Sequence, residues 1–212
     1  MNNPSPKLGP TFWTGLILCG LTFGALLVWT RLKEWGPALP VYGQVADFSL
    51  TNQLGSPVSV ASLRGQVWVA DVIFSRCPTA CLTMTKRMGE LQAALPANAS
   101  VKLLSVTTDP DFDSPEILKR YGEKFAANPD RWWFLTGPKA QVLNALTNGL
   151  KLTAVETPPE LRTNQFDLFT HSTLFVVVDK QSRIRAAIET MQPEWKKQAL
   201  GYINRLLRED AE

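Results

Sequence analysis

The sequence predicts an α/β domain with a central mixed sheet flanked by helices, an N-terminal hairpin and, ahead of it, one transmembrane helix. Three observations carry that expectation: a charge-free apolar run near the N-terminus, two continuous β-branched runs in mid-chain, and the alternation of such runs with amphipathic segments of helical period. At 212 residues and 45% hydrophobic content, the chain holds one ordinary domain plus one extra element. The expected division is an N-terminal tail over 1–7, a membrane anchor over 8–30, a linker over 31–44 and the folded domain over 45–212.

No charged residue stands between Lys7 and Arg31. As a helix, 8–30 reaches roughly 34 Å at about 1.5 Å per residue, against a hydrocarbon core of about 30 Å. A cleaved signal peptide has a shorter apolar core followed by small residues, whereas the exit here reads Leu26-Leu27-Val28-Trp29-Thr30. Trp13 and Trp29 suit the two interfaces, and Arg31 and Lys33 form a polar stop. Cys19 follows Leu18 instead of the small residue that a lipid-attached cysteine wants. Basic residues flank both ends almost equally, so charge alone leaves the orientation open.

Gly36, Pro37, Pro40 and Gly43 interrupt regular structure between anchor and domain. Residues 48–51 and 58–61 flank a glycine-containing turn at 52–56 and read as a hairpin. The run 67–74 is apolar and β-branched, as in a strand buried on both faces. A helix over 79–95 places Leu82, Met84, Met88, Leu91 and Leu95 mostly on one stripe. A second buried strand follows over 101–106. Ser114-Pro115 opens the next helix with Glu116 in its first turn. A short strand over 131–135 and a helix from Pro138 through Leu146 complete the alternation. After a polar excursion over 157–163, strands 172–178 and 183–188 flank a turn at 179–182, and a last helix runs from Pro193 to about Leu207. A βαβαβ core followed by a hairpin and a helix is the order of a thioredoxin-like fold, decorated here by the N-terminal hairpin and two insertions.

Chemistry concentrates where the first buried strand meets the first core helix, at Cys77-Pro78-Thr79-Ala80-Cys81. Amides at a helix N-terminus favour a thiolate, the form that binds metals and exchanges disulfides. Three intervening residues put the sulfurs about one helical turn apart, near enough to share an ion or to oxidise together. His171, the only histidine, begins the strand 172–178, and in this element order the turn before that strand lies beside the cysteine-bearing helix start. Two thiolates and an imidazole suit Cu(I) in trigonal geometry, and Cu(II) with a weak fourth ligand. Catalytic zinc uses the same donor types, so ligand chemistry leaves that metal open.

Other functions lack residues. A net charge of +3 without clustered Lys and Arg gives no nucleic-acid surface. There is no glycine-rich phosphate loop and no Gly-x-Ser-x-Gly elbow. Asp109, Asp111 and Asp113 alternate like a calcium loop, yet Ser114 and Arg120 stand where glycine and glutamate belong. The helical spacing of Met84 and Met88 makes them core residues. Trp132-Trp133-Phe134 reads equally as a partner surface or a strand buried on one face.

Together these segments resemble the Sco/SenC family of copper-binding, thioredoxin-like proteins. The likeness covers the whole chain: the single anchor, the Cys77–Cys81 motif after Ile73-Phe74-Ser75, the run 105–115 around Thr108-Asp109-Pro110, and Thr170-His171-Ser172-Thr173 leading into a strand. The resemblance implies that Cys77, Cys81 and His171 bind one copper ion per chain, with Asp109 tuning the site from outside. It implies a role in assembling the binuclear copper site of cytochrome c oxidase, with that subunit, other copper chaperones or thiol reductases as partners. Family members also divide between copper delivery and thiol-disulfide chemistry that keeps partner cysteines reduced. Leu82 replaces a common proline, and Phe169-Thr170 removes an acidic residue that commonly precedes the histidine. The absence of an Arg- and Ser-rich leader favours a bacterial inner membrane, with the C-terminal domain in the periplasm.

Overall fold

The computed structural model describes residues 9–34, 39–78, 80–164 and 168–209, with the side chains of 10, 11 and 27–34 excepted. The expected tail over 1–7, residues 35–38 of the linker and Thr79 lie outside the described residues. The chain divides into two units, residues 1–39 and 40–212.

The first unit is helix α1 (Pro10–Glu34), two residues inside the expected start and four beyond the expected end of the 8–30 span. Among the described residues no helix is long and apolar enough to cross a membrane. Within α1, Phe12, Trp13, Leu16, Ile17, Leu18, Leu21, Phe23 and Leu26 are exposed, so the helix has no polar face between Phe12 and Leu26.

The second unit is an α/β domain in the order β1 (Gly43–Gln44), β2 (Ser49–Asn52), β3 (Pro57–Ser59), α2 (Val60–Leu63), β4 (Val67–Ile73), α3 (Ala80–Ala94), β5 (Val101–Thr107), α4 (Pro115–Lys124), β6 (Trp132–Thr136), α5 (Lys139–Asn144), β7 (Ala154–Glu156), β8 (Phe169–His171), β9 (Leu174–Val178), β10 (Arg183–Glu189) and α6 (Trp195–Arg208). Eight strands form one mixed sheet in the order β1-β10-β9-β4-β5-β6-β2-β3. Its centre, β4-β5-β6, is parallel, and β9 runs antiparallel to β4. Every residue of β4 is buried, as its unbroken apolar run requires of a strand covered on both faces. Trp68, Ala70 and Val72 pack with Leu104, Val106 and Val176 on one face, which leaves Val69, Asp71 and Ile73 on the other.

Three local details depart from the sequence reading. The hairpin's second strand stops at Ser59 instead of Ala61, because Ser59 caps α2: its hydroxyl accepts from Ser62 N, and the Ser62 hydroxyl accepts from Ser59 N. The excursion after α5 carries a separate two-stranded sheet, β7-β8. His171 ends β8 instead of beginning β9, since Ser172 is drawn off the main sheet toward Thr153, its N–H donating to Thr153 O at 3.0 Å and its hydroxyl accepting from Thr153 N at 2.8 Å. The tryptophan run resolves toward the core: Trp132 and Phe134 are fully buried and stacked at 4.9 Å. Met84 and Met88 are buried, as expected.

Candidate metal and thiol centre

Parallel strands β4 and β5 end side by side at Ile73 and Thr107, and antiparallel β9 starts at that same end. Loops leaving these ends therefore meet at one pole of the sheet. The loop after β4 carries Cys77, the first turn of α3 carries Cys81, and β8 brings His171 in from the excursion. The two cysteines stand at the strand-to-helix junction and His171 arrives from β8 instead of β9, and their donor atoms fall within 4.8 Å of one another. They are the only such cluster of metal-binding side chains among the described residues.

The loop is held from behind. Asp113 accepts from Ser75 N at 3.1 Å and also from the hydroxyls of Ser75 and Thr107, so one buried carboxylate ties the turn before Cys77 to the end of β5. Burial pushes its carboxyl up, against the pull of those hydroxyls. Sequence reasoning weighs Asp113 only as part of a calcium-like alternation; the adjacent helix is capped by Ser114, whose hydroxyl accepts from Ile117 N, as the Ser114-Pro115 start implies. Asp109 takes both Arg76 Nε at 3.0 Å and Arg76 Nη2 at 2.5 Å. It therefore acts on the residue preceding Cys77 and not on the sulfurs themselves. Asp111 is exposed beside Lys139, so the three aspartates point to different partners and form no calcium loop.

At the centre, Cys81 is fully buried and Cys77 is 8% exposed. Both are thiols with no disulfide between them. His171 Nε2 stands 3.0 Å from Cys81 Sγ, while Nδ1 stands 3.0 Å from Ser172 O. A carbonyl only accepts, so Nδ1 carries the proton and Nε2 offers its lone pair toward the sulfurs. The ring is braced edge-on against Phe74 at 6.0 Å. Burial alone would lower the imidazole pKa, but the Cys77 sulfur and the Ser172 carbonyl raise it above the ordinary value.

The sequence reading favours a thiolate for at least one sulfur near the helix start, and Cys81 is not that one. The neighbouring Cys77 sulfur and burial push it far above an ordinary thiol, outweighing the backbone contact at Phe74. Cys81 is therefore protonated until a metal or an oxidant displaces the proton. Beneath the site, Asp71 was not singled out by its sequence, which reads as one polar residue in an apolar strand. It is fully buried, neither oxygen has a hydrogen-bond partner at normal geometry, and burial lifts its carboxyl to about 7, with Ser105 and His171 pulling the other way.

A profile described as SCO1/SenC matches residues 41–207. The chain belongs to the SCO1/SenC family. The SCO1 protein homolog of Bacillus subtilis is 42% identical over 128 residues, 57% of this chain and 64% of that relative, so the match spans less than two thirds of the relative's length. The structure of BsSco, described as a member of the Sco family of cytochrome c oxidase assembly proteins in which a disulfide switch was identified, is 27% identical with a TM-score of 0.69, over 82% of this chain and all of that one. The copper-bound structure of Bradyrhizobium japonicum ScoI shares the fold at 22% identity and a TM-score of 0.65, over 77% of this chain and 99% of its own.

Proposed function

We propose that the chain is a membrane-anchored copper metallochaperone that helps assemble the binuclear copper site of cytochrome c oxidase. The observation that carries this reading is the convergence of two thiols and the Nε2 lone pair of the only histidine within 4.8 Å. Donors about 2.0–2.3 Å from one ion stand roughly 3.8–4.0 Å apart in trigonal geometry, so closure from this spread needs side-chain shifts of about an ångström or less. Two soft sulfurs and an imidazole suit copper, whose cuprous form accepts three ligands. His171 is fixed for ligation by its Nδ1–H bond to Ser172 O, and Cys81 gives up its proton as the ion is taken, so uptake strengthens as pH rises. The copper-bound ScoI relative and the oxidase-assembly role of the Sco family support the choice of cargo and recipient. The charge-free run 8–30 and the apolar surface of α1 support the anchor, placed in a bacterial inner membrane with the domain in the periplasm.

A second reading, thiol-disulfide exchange that keeps a partner's cysteines reduced, is favoured by the adjacent unbridged thiols and by the disulfide switch of BsSco. Titrating the reduced full chain with copper separates the two. One ion per chain, with affinity lost in His171→Ala, is expected of the chaperone. Unchanged copper affinity in that variant, with reductase activity abolished in Cys77→Ser, would transfer the assignment to exchange.

A further inference from the structure

Cys77 is 8% exposed and Cys81 is fully buried, so a sulfur that takes an ion or meets a thiol from outside first has to be uncovered. The cover over Cys77 comes from β8. Phe169 packs edge-on against Phe74 at 5.3 Å, and Phe74 O accepts from Cys77 N, so this ring shields the turn that carries the thiol. Phe169 also lines a cleft of about 350 Å³ together with Arg76, the residue before Cys77.

This cover is lightly attached. β7 and β8 pair only with each other, and a two-stranded hairpin is marginal by itself. At the base of the arm Ala154, opposite His171, is buried in the core. At the outer end Glu156 stands opposite Phe169, and there the arm is tied across the cleft. Lys139, at the start of α5, reaches Glu156 at 3.1 Å and Asp111 of the Asp109 loop at 4.0 Å. Arg162 meets Glu156 from the arm's own side at 3.5 Å. Ion pairs as exposed as those of Lys139 are weak and yield to salt. Where the chain enters the arm, Lys151 is held at a φ of 58°, a left-handed conformation unusual outside glycine and a place for a hinge to absorb rotation.

We propose that the β7-β8 arm is a lid over Cys77, latched by the Lys139–Glu156 pair and pivoting at its buried base, so that Phe169 lifts from Phe74 while His171 stays on Cys81. The inference rests on the reading of Cys77 as a thiol that meets its cargo or partner from outside, and it adds how that access is controlled.

The test uses the reduced, metal-free full chain in detergent micelles. N-ethylmaleimide is the probe, and peptide mass spectrometry reads Cys77 separately from Cys19 and Cys81. Labelling of Cys77 is expected to quicken about threefold in Lys139→Met and in Glu156→Gln. These substitutions change the local charge in opposite directions, so quickening in both reads access and not thiolate content. The unaltered chain is expected to match Lys139→Met in about 1 M salt, and Lys139→Arg, which keeps the pair, to hold the original rate. Phe169→Ala is expected to quicken labelling at any salt concentration. Backbone hydrogen exchange separates lid opening from unfolding: amides of β7 and β8 are expected to exchange on the labelling timescale while those of β4 stay protected. The lid is overturned if neither latch variant changes the Cys77 rate, or if β4 exchanges as fast as β8. Copper stoichiometry is read on the same variants and is expected to stay at one ion per chain. Latch-dependent labelling in a chain that takes no copper would sink the copper reading and leave the lid assigned; copper uptake with latch-independent labelling would do the reverse.

Discussion

Two aspartates buried in the same sheet have opposite electrostatic fates. Asp179, in the turn between β9 and β10 at the pole away from the thiols, is 2% exposed and saturated with donors. Its carboxylate accepts from Arg183 Nε and Arg185 Nη1, each at 2.8 Å, and from the N–H groups of Gln181 and Arg183 at 3.0 and 2.8 Å. Burial works against the charge, yet the Arg183 N–H and the two guanidinium groups hold the carboxyl below its ordinary value. Asp71, under the thiols, is equally buried and has no such donors, and its carboxyl rises to about 7. Cationic donors, and not depth, decide whether a buried acid is charged. The far pole uses its charges to fasten structure, since Arg185 also grips Pro40 O and Glu209 and so joins both ends of the domain. Under the thiols, the Asp71 oxygens are left without hydrogen-bond partners.

The comparison breaks most sharply at Arg185. Arg185→Met strands the Asp179 charge in the interior and is expected to cost about 3–5 kcal/mol by urea denaturation, while copper stoichiometry holds; a loss under 1 kcal/mol would mean that Arg183 alone suffices.

Asp71 provides the opposite test. Its pKa is higher folded, about 7, than the ordinary 3.8, so between those values the folded state holds a proton that the unfolded chain has released. Stability therefore falls as pH rises from about 4 to about 7 and is level above. At about 1.4 kcal/mol per pH unit, Asp71→Asn is expected to gain a few kcal/mol at pH 8 and almost nothing at pH 4. Thermal melts at the two pH values check this, and equal gains at both would refute the buried-acid account.

Asp113→Ala tests a buried carboxylate that has found partners at the thiol pole. Losing its bonds to Ser75 and Thr107 is expected to cost about 2 kcal/mol and to weaken copper binding by about tenfold, since the turn before Cys77 loosens. A competition titration beside the denaturation curve reads both. The smallest effect belongs to exposed charge: Lys139→Met removes pairs to Glu156 and Asp111 and is expected to change stability by less than about 1 kcal/mol, an effect that salt erases.

Much of this was legible in the residues themselves. Periodicity marked the β4 and β5 runs, the α3 stripe and the Ser114-Pro115 start, because burial on one face or two forces a repeat that survives in the chain. Cys77, Cys81 and His171 stood out because thiols and a solitary imidazole have few other uses at such a junction. The short pieces were not legible. β1, β7 and β8 are two or three residues long, too short for a period to show, and β1 pairs with β10 at the other end of the domain.

By itself, then, the sequence determined the α/β order and picked out Cys77, Cys81 and His171 as candidate donors, since both follow from side-chain type and element order. Only the tertiary structure decided that His171 reaches the sulfurs from a separate small sheet, that Cys81 keeps its proton despite sitting at a helix start, and that Asp71 has no partner where Asp179 has several. Those outcomes depend on distances between residues remote in the chain and on the water excluded from between them. Charge and hydrogen bonding in an interior answer to such distances, and no local pattern encodes them.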